Sequence, residues 1–268
     1  MLLRMFQTRR VLVLVGMLFV LSMTASIGYA QRGRGQAGPP PTPKASAPID
    51  LTGTWAPLIT EDWRVRMVTP KKGDYESVPI SAAGRRAADA WDPATDEAAG
   101  QQCQAYGAAA VMRLPGRIRV SWENDSALKI ETEQGTQTRR LLFIPAAQQP
   151  PAQPPSLQGT SIAEWEATGG GGGAAAEGAV RNTGRFGDLK VVTKNLLPGY
   201  VRKNGVPYSE NSVVTEWYDR ISSPAGELLV LNTEVNDPQN LAQPFVTSTH
   251  FKKLPDNATF NPEACTAR

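Results

Sequence analysis

Arg117-Ile118-Arg119-Val120-Ser121-Trp122-Glu123-Asn124-Asp125-Ser126-Ala127-Leu128-Lys129-Ile130-Glu131-Thr132 is the stretch whose reading decides the fold class. Ile118, Val120 and Trp122 alternate with Arg117, Arg119 and Ser121, a period of two that gives an extended chain one apolar and one polar face. Asn124-Asp125-Ser126 supplies turn residues, and Leu128, Ile130 and Thr132 then alternate with Lys129 and Glu131. Two such runs joined by a turn predict a β-hairpin.

Working outward, the same pattern recurs. Gln134-Gly135 marks a turn before a strand over residues 138–144, and further strand patterns lie at 160–166, 189–196, 213–221, 228–235 and 245–251. Pro198-Gly199, Asn204-Gly205, residues 223–226 and Asn236-Asp237-Pro238 punctuate the later runs. Upstream, residues 49–55 are β-prone and end in Gly-x-Trp. In residues 61–68, Trp63, Val65 and Met67 alternate with Arg64 and Arg66, which predicts a second strand. The one good helix pattern begins at its N-cap Ser81, runs from Ala82 to Trp91 and stops at Asp92-Pro93. A succession of strands joined mostly by short turns predicts an all-β protein with one or two short helices. The expected form is an antiparallel up-and-down meander that removes its edges by closing into a barrel of about eight to ten strands.

The N-terminal thirty residues read as an export signal: Arg4, Arg9 and Arg10 lead, residues 11–21 are apolar, and Gly28-Tyr29-Ala30 makes a small-residue cleavage site. Residues 31–48, rich in Gly, Pro, Ala and Gln, predict a flexible tether, followed by a single domain over 49–268. The formal charge of +3 belongs to the signal: 28 basic residues less its three arginines leaves 25, against 25 acidic. A mature chain near neutrality argues against nucleic acid or an anionic membrane as partner, and no integral membrane segment is expected once the signal is removed. Cys103 and Cys265 predict a disulfide in an oxidising compartment. Two cysteines without close ligand spacing and one histidine, His250, do not make a metal site. The glycines at 169–173 lack the preceding strand, following helix and Lys-Ser or Lys-Thr pair of a phosphate loop, so they predict a flexible insertion over 167–187 and imply no cofactor.

Two resemblances add to this reading. Gly53-Thr54-Trp55 at the entrance to a meander is similar to the start of lipocalin-type barrels, in which the tryptophan packs across one barrel end and a basic residue near the last strand covers it; Lys252 or Lys253 is placed to do so. Gly159-Thr160-Ser161-Ile162, Trp165-Glu166, residues 187–193, Pro207-Tyr208-Ser209-Glu210 and Asp237-Pro238 with Pro244 together resemble a family of exported bacterial proteins of unassigned activity. There Trp-Glu-Gly-Asp-x-Leu runs without a break, whereas here the glycine insertion divides it. The second resemblance covers roughly the C-terminal half and implies export and a β-rich fold.

The candidate chemistry is sparse. Tyr208, Ser209 and Glu210 follow a Gly-Val-Pro turn, and a carboxylate beside a phenol at a strand mouth could hold a polar group or move a proton if burial shifted its pKa. His250 shares a strand face with Val246 and Ser248; were that face lumenal, His250 could act with Glu210 or Glu164. Glu164 and Glu166 share another face and could form an acid and base pair. Trp63, Arg64, Glu164, Ser209 and Trp217 are candidate ligand contacts, the first two through an aromatic and cationic grip. Each has a plain structural alternative: turn hydrogen bonds for Ser209 and Glu210, an apolar edge under Tyr208, solvated strand faces for the charges, core for the tryptophans. The leading expectation is a barrel binding a small, partly apolar ligand in its lumen. The alternatives are a lyase, hydratase or isomerase using Glu210, Tyr208 and His250, and a structural or interaction protein of the cell envelope.

Overall fold

The structure is a computed structural model describing residues 40–145, 148–150, 152–166, 189–224 and 226–268. The export signal, the first part of the tether and the glycine insertion expected from sequence lie outside these residues.

Inward residues alternate with outward ones on every long strand, and that alternation builds the barrel. The strands are β1 (Gly53–Leu58), β2 (Ile118–Asn124), β3 (Ala127–Thr132), β4 (Thr138–Leu142), β5 (Thr160–Trp165), β6 (Leu189–Lys194), β7 (Gly199–Arg202), β8 (Val206–Tyr208), β9 (Val213–Ser223), β10 (Gly226–Asn236) and β11 (Phe245–Lys253). Nine of them close into one ring in the order β1-β11-β10-β9-β6-β5-β4-β3-β2, while β7 and β8 form a separate hairpin. The hairpin that opens the sequence argument is present, with Val120 opposite Ile130 and Trp122 opposite Leu128. All but one of the ring's pairings are antiparallel, the exception being β4 with β5. That exception is a parity requirement, because a closed ring with an odd number of strands cannot alternate direction throughout. The expected up-and-down order is thus interrupted twice, at the β4–β5 crossover and where β7 and β8 leave the wall.

The interior is filled. A ligand-sized void along the axis would leave its walls accessible, yet Trp55, Leu189, Val191, Glu216, Leu229, Leu231 and Phe251 are all at 0 % exposure. Burying a large apolar side chain contributes about 1.5–3 kcal/mol each, so this layer is the main source of stability. Trp55 donates its indole N–H to the Leu51 carbonyl at 2.9 Å. Lys253, and not Lys252, covers the ring, with Nζ 5.8 Å from its centroid.

Residues 61–68 correct the strand expected there. Trp63–Met67 is a short helix, α1, entered through Asp62 with a left-handed φ of 51°. Five residues of apolar and basic alternation fit one helical turn as well as a strand, and here ion pairs decide: Arg66 with Glu61, and Arg113 with Asp62 at 2.8 Å. The helix expected after Ser81 is α2 (Ala82–Ala90), capped by the Ser81 hydroxyl, which accepts from Gly84 N–H at 3.0 Å. Asp92-Pro93 ends it as expected and also starts α3 (Pro93–Ala98), with Asp92 as N-cap and Pro93 at a first-turn position where its missing N–H costs nothing. Helix α2, through Ala88, and the β7–β8 hairpin share a second apolar cluster that includes Tyr75, Val78, Val206, Tyr208, Val214 and Phe245. Because Val214 and Phe245 also begin barrel strands, this cluster caps one end of the barrel. Cys103 and Cys265 form the expected disulfide, tying the C-terminal tail to the segment before β2.

Candidate functional site

The residues expected to meet in one site do not. Glu210 is exposed in the turn after β8. His250 lies on the outer face of β11: its neighbour on that face, Val246, is 65 % exposed, whereas Phe245, Thr247, Thr249 and Phe251 are the buried, inward residues. The condition under which His250 would enter the lumen is therefore not met. Its imidazole sits 3.3 Å from Ser248 Oγ through Nε2 and 3.8 Å from Glu61 through Nδ1.

Ser209 and Tyr208 are held as parts of the frame. Asp237 is buried and accepts four donors: Ser209 N–H and Oγ–H at 2.8 Å each, Gln239 N–H at 3.0 Å and Asn240 Nδ2 at 2.9 Å. Two motifs far apart in sequence, Pro207-Tyr208-Ser209-Glu210 and Asp237-Pro238, are thereby one knot joining the β8–β9 turn to the β10–β11 loop. Tyr208 is buried, its hydroxyl has no partner among the described residues, and burial pushes that hydroxyl well above its ordinary pKa. A phenol that neither ionises nor meets a partner is poorly suited to proton transfer. Tyr208→Phe should therefore leave urea-unfolding stability unchanged or raise it by up to about 1 kcal/mol, since it removes an unsatisfied group. A loss beyond about 1.5 kcal/mol would show that the hydroxyl has a partner that matters.

The remaining candidates also face outward. Trp63 is 62 % exposed on α1. Arg64 beside it bonds Glu76 at 2.7 Å. Glu164 and Glu166 both reach the outer-face Lys190, at 3.5 and 3.2 Å. A lysine between two carboxylates on a solvated surface is an ordinary ion-pair network, and their acid and base arrangement is not formed. Trp217 pairs with Lys190 and Asn232 on the outside of β9, while Glu216 and Tyr218 take the inner face.

Sequence reasoning passed over what the inner face holds. Arg139 on β4 reaches across the interior to Glu216 on β9, donating from Nη1 to Oε1 at 2.8 Å and from Nη2 to Oε2 at 2.6 Å. Both side chains are fully buried. Tyr218 donates to Glu216 Oε1 at 3.1 Å, and Thr193 and Ser161 continue the network at 3.4 and 2.8 Å. Burial disfavours the Arg139 charge, but the Glu216 carboxylate outweighs it and the guanidinium stays firmly protonated. Burial and Glu216 both push the Tyr218 hydroxyl up. Strands β4 and β9 are separated in the ring by β5 and β6, whose Ser161 and Thr193 belong to the same network, so the ion pair bridges part of the interior.

Polar and aromatic character meet instead at the barrel end opposite the helical cap. Phe143, just past β4, stands between Trp122 of β2 and Trp165 of β5, with ring centroids 5.6 and 5.2 Å apart. Aromatic pairs at such separations add about 0.5–1.5 kcal/mol beyond burial. Phe143 is buried, but both tryptophans are half-buried and keep ring surface uncovered. A groove of about 660 Å³ runs past Phe143, lined also by Pro43, Leu142, Ile144, Pro145 and Gln148. Residues 42–46 turn over this rim: Trp165 donates its indole N–H to the Pro43 carbonyl at 2.9 Å, and Lys44 N–H bonds the Asp125 carbonyl at 3.0 Å. The mouth thus offers aromatic rings beside a shallow, mostly apolar trough that Phe143 lines, which suits holding a flat or partly apolar molecule. Among the described residues no group of three or more His, Cys, Asp or Glu side chains could hold a metal ion.

Comparison with family models, curated proteins and solved structures finds no match to this chain. The site must therefore be argued on its own geometry.

Proposed function

We propose that the chain is an exported binding protein whose barrel takes a small, partly apolar molecule at its aromatic mouth. The observation that carries this is the half-buried ladder of Trp122, Phe143 and Trp165 beside an open groove, at the end of a barrel whose middle is already full. The lumenal ligand expected from sequence moves to the rim on this reading, because the buried Arg139–Glu216 pair and the apolar layer fill the interior. The basic lead, apolar run and Gly28-Tyr29-Ala30 of the N-terminus support export. The Cys103–Cys265 disulfide fits an oxidising compartment. Among the described residues no helix is long and apolar enough to cross a membrane. The lipocalin-like start is supported by Lys253 over Trp55.

Titration with the uncharged fluorophore N-phenyl-1-naphthylamine tests the reading. A saturable rise in emission is expected with wild type, and Trp122→Ala or Trp165→Ala should weaken binding about tenfold, the loss of roughly one aromatic contact. Glu210→Gln and His250→Ala should bind as wild type does. Absence of saturable binding by wild type, or an equal loss in His250→Ala, would contradict the proposal.

A further inference from the structure

At the capped end a second cavity has a different chemistry. It offers about 40 Å³ to the centres of water molecules and is lined by Val65 and Arg66 of α1, Arg113 and Leu114 before β2, and Arg202 and Lys203 at the end of β7, among others. At about 10–15 Å³ per water, this is room for roughly three waters, the size of a compact oxyanion. The Arg66 side chain is 2 % exposed. It donates from Nε to the Arg113 carbonyl at 2.9 Å and pairs with Glu61 through Nη1, which leaves Nη2 buried without a partner among the described residues. Arg113 is in the same condition: Nη2 bonds Asp62 at 2.8 Å, the guanidinium lies 5.9 Å from the Phe245 ring centroid, and Nη1 is buried without a partner among the described residues. Arg202 bonds the Glu76 carbonyl and the Ser77 hydroxyl at 2.9 and 3.3 Å, so it brings a third cation with no carboxylate in direct contact.

Three guanidiniums around one small cavity repel one another. Burial and the neighbouring Arg113 charge depress the Arg66 and Arg202 guanidiniums; Glu61 and Asp62 offset part of that at Arg66, and Asp62, Asp74 and Glu76 part of it at Arg202. Asp74 and Glu76, the other acids nearby, are engaged by Arg64 at the surface. Buried donors without acceptors are costly, and guanidinium forks match the paired oxygens of carboxylate, phosphate and sulfate. We propose that this cavity is a binding site for a compact oxyanion, held by Arg66 Nη2 and Arg113 Nη1, with Arg202 and Lys203 contributing charge at its wall. This inference is independent of the aromatic mouth, which lies at the other end of the barrel.

The test is thermal unfolding of the full mature chain in sodium phosphate, sodium sulfate or sodium acetate, each against sodium chloride at matched ionic strength. A ligand that binds only the folded state raises Tm with its concentration. The expected result is a saturable rise with at least one oxyanion that chloride does not reproduce; whether acetate or the inorganic anions saturate first distinguishes an organic carboxylate from a free oxyanion. Arg113→Lys keeps a cation for Asp62 but loses the fork, and it should weaken the saturating anion about tenfold or more. Equal shifts with all four salts in wild type overturn the proposal, and that comparison decides even where the variant does not fold. So does an Arg113→Lys protein that folds and binds as wild type does.

Discussion

Glu216→Gln is expected to cost about 3–5 kcal/mol of stability in urea unfolding, the range for breaking a buried ion pair by removing one partner. Glutamine keeps the size of the side chain and one acceptor. What it removes is the charge that holds Arg139, whose guanidinium is fully buried and already has Nε unpartnered. The Tyr218 hydroxyl, which donates to the same carboxylate, is disturbed as well. The paired substitution Arg139→Met with Glu216→Leu should recover most of the loss, because two apolar side chains of similar volume avoid the desolvation of both charges. A Glu216→Gln protein within about 0.5 kcal/mol of wild type would mean that water reaches Arg139, and the interior would not be filled in the way the burial of its walls implies.

The second large effect is expected on opening the disulfide. Cys103 and Cys265 are 162 residues apart, and in the chain-entropy model a loop of that length stabilises by about 5 kcal/mol. The bridge also fixes local structure: the Cys265 neighbour Thr266 bonds the Tyr106 hydroxyl through its N–H at 3.2 Å, and Lys203 bonds the Thr266 hydroxyl at 2.9 Å. Cys103→Ser with Cys265→Ser, or reduction of the wild type, should lower the urea midpoint strongly and free the tail to proteolysis first. Unchanged stability after complete reduction would show that the tail packs without the covalent bond.

Much of the barrel was legible because its signal is local. A period of two repeats within each strand, and turn residues separate the strands, so β2, β3, β9, β10 and β11 emerge close to their observed bounds. What was not legible depends on distance or on parity. Residues 61–68 alternate over too few positions to separate a strand from a helical turn, and the partners that settle the matter, Glu61 with Arg66 and Asp62 with the distant Arg113, are ion pairs. The Arg139–Glu216 pair left a usable trace: Arg139 alternates in phase with Leu141, and Glu216 in phase with Val214 and Tyr218, which puts one base and one acid on inner faces. Joining them requires knowing that β4, β5, β6 and β9 are consecutive in the ring, which the order of strands in the chain does not state. The Tyr208, Ser209 and Glu210 cluster stood out for its composition, yet Asp237 shows that Ser209 serves the frame, while the aromatic mouth is assembled from three strands whose rings lie up to 43 positions apart (165 minus 122).

The central claim is that the middle of this barrel is closed and its rim is where a molecule is held. Six tryptophans give six indole N–H resonances, two of them at the rim and Trp55 packed in the interior with its N–H bonded to Leu51. The direct measurement is a titration of the ¹⁵N-labelled mature protein with N-phenyl-1-naphthylamine, following those six signals. The Trp122 and Trp165 indoles are expected to shift together to saturation while Trp55 stays in place. Movement of Trp55 with the rim signals unmoved would put the ligand inside the barrel and contradict it.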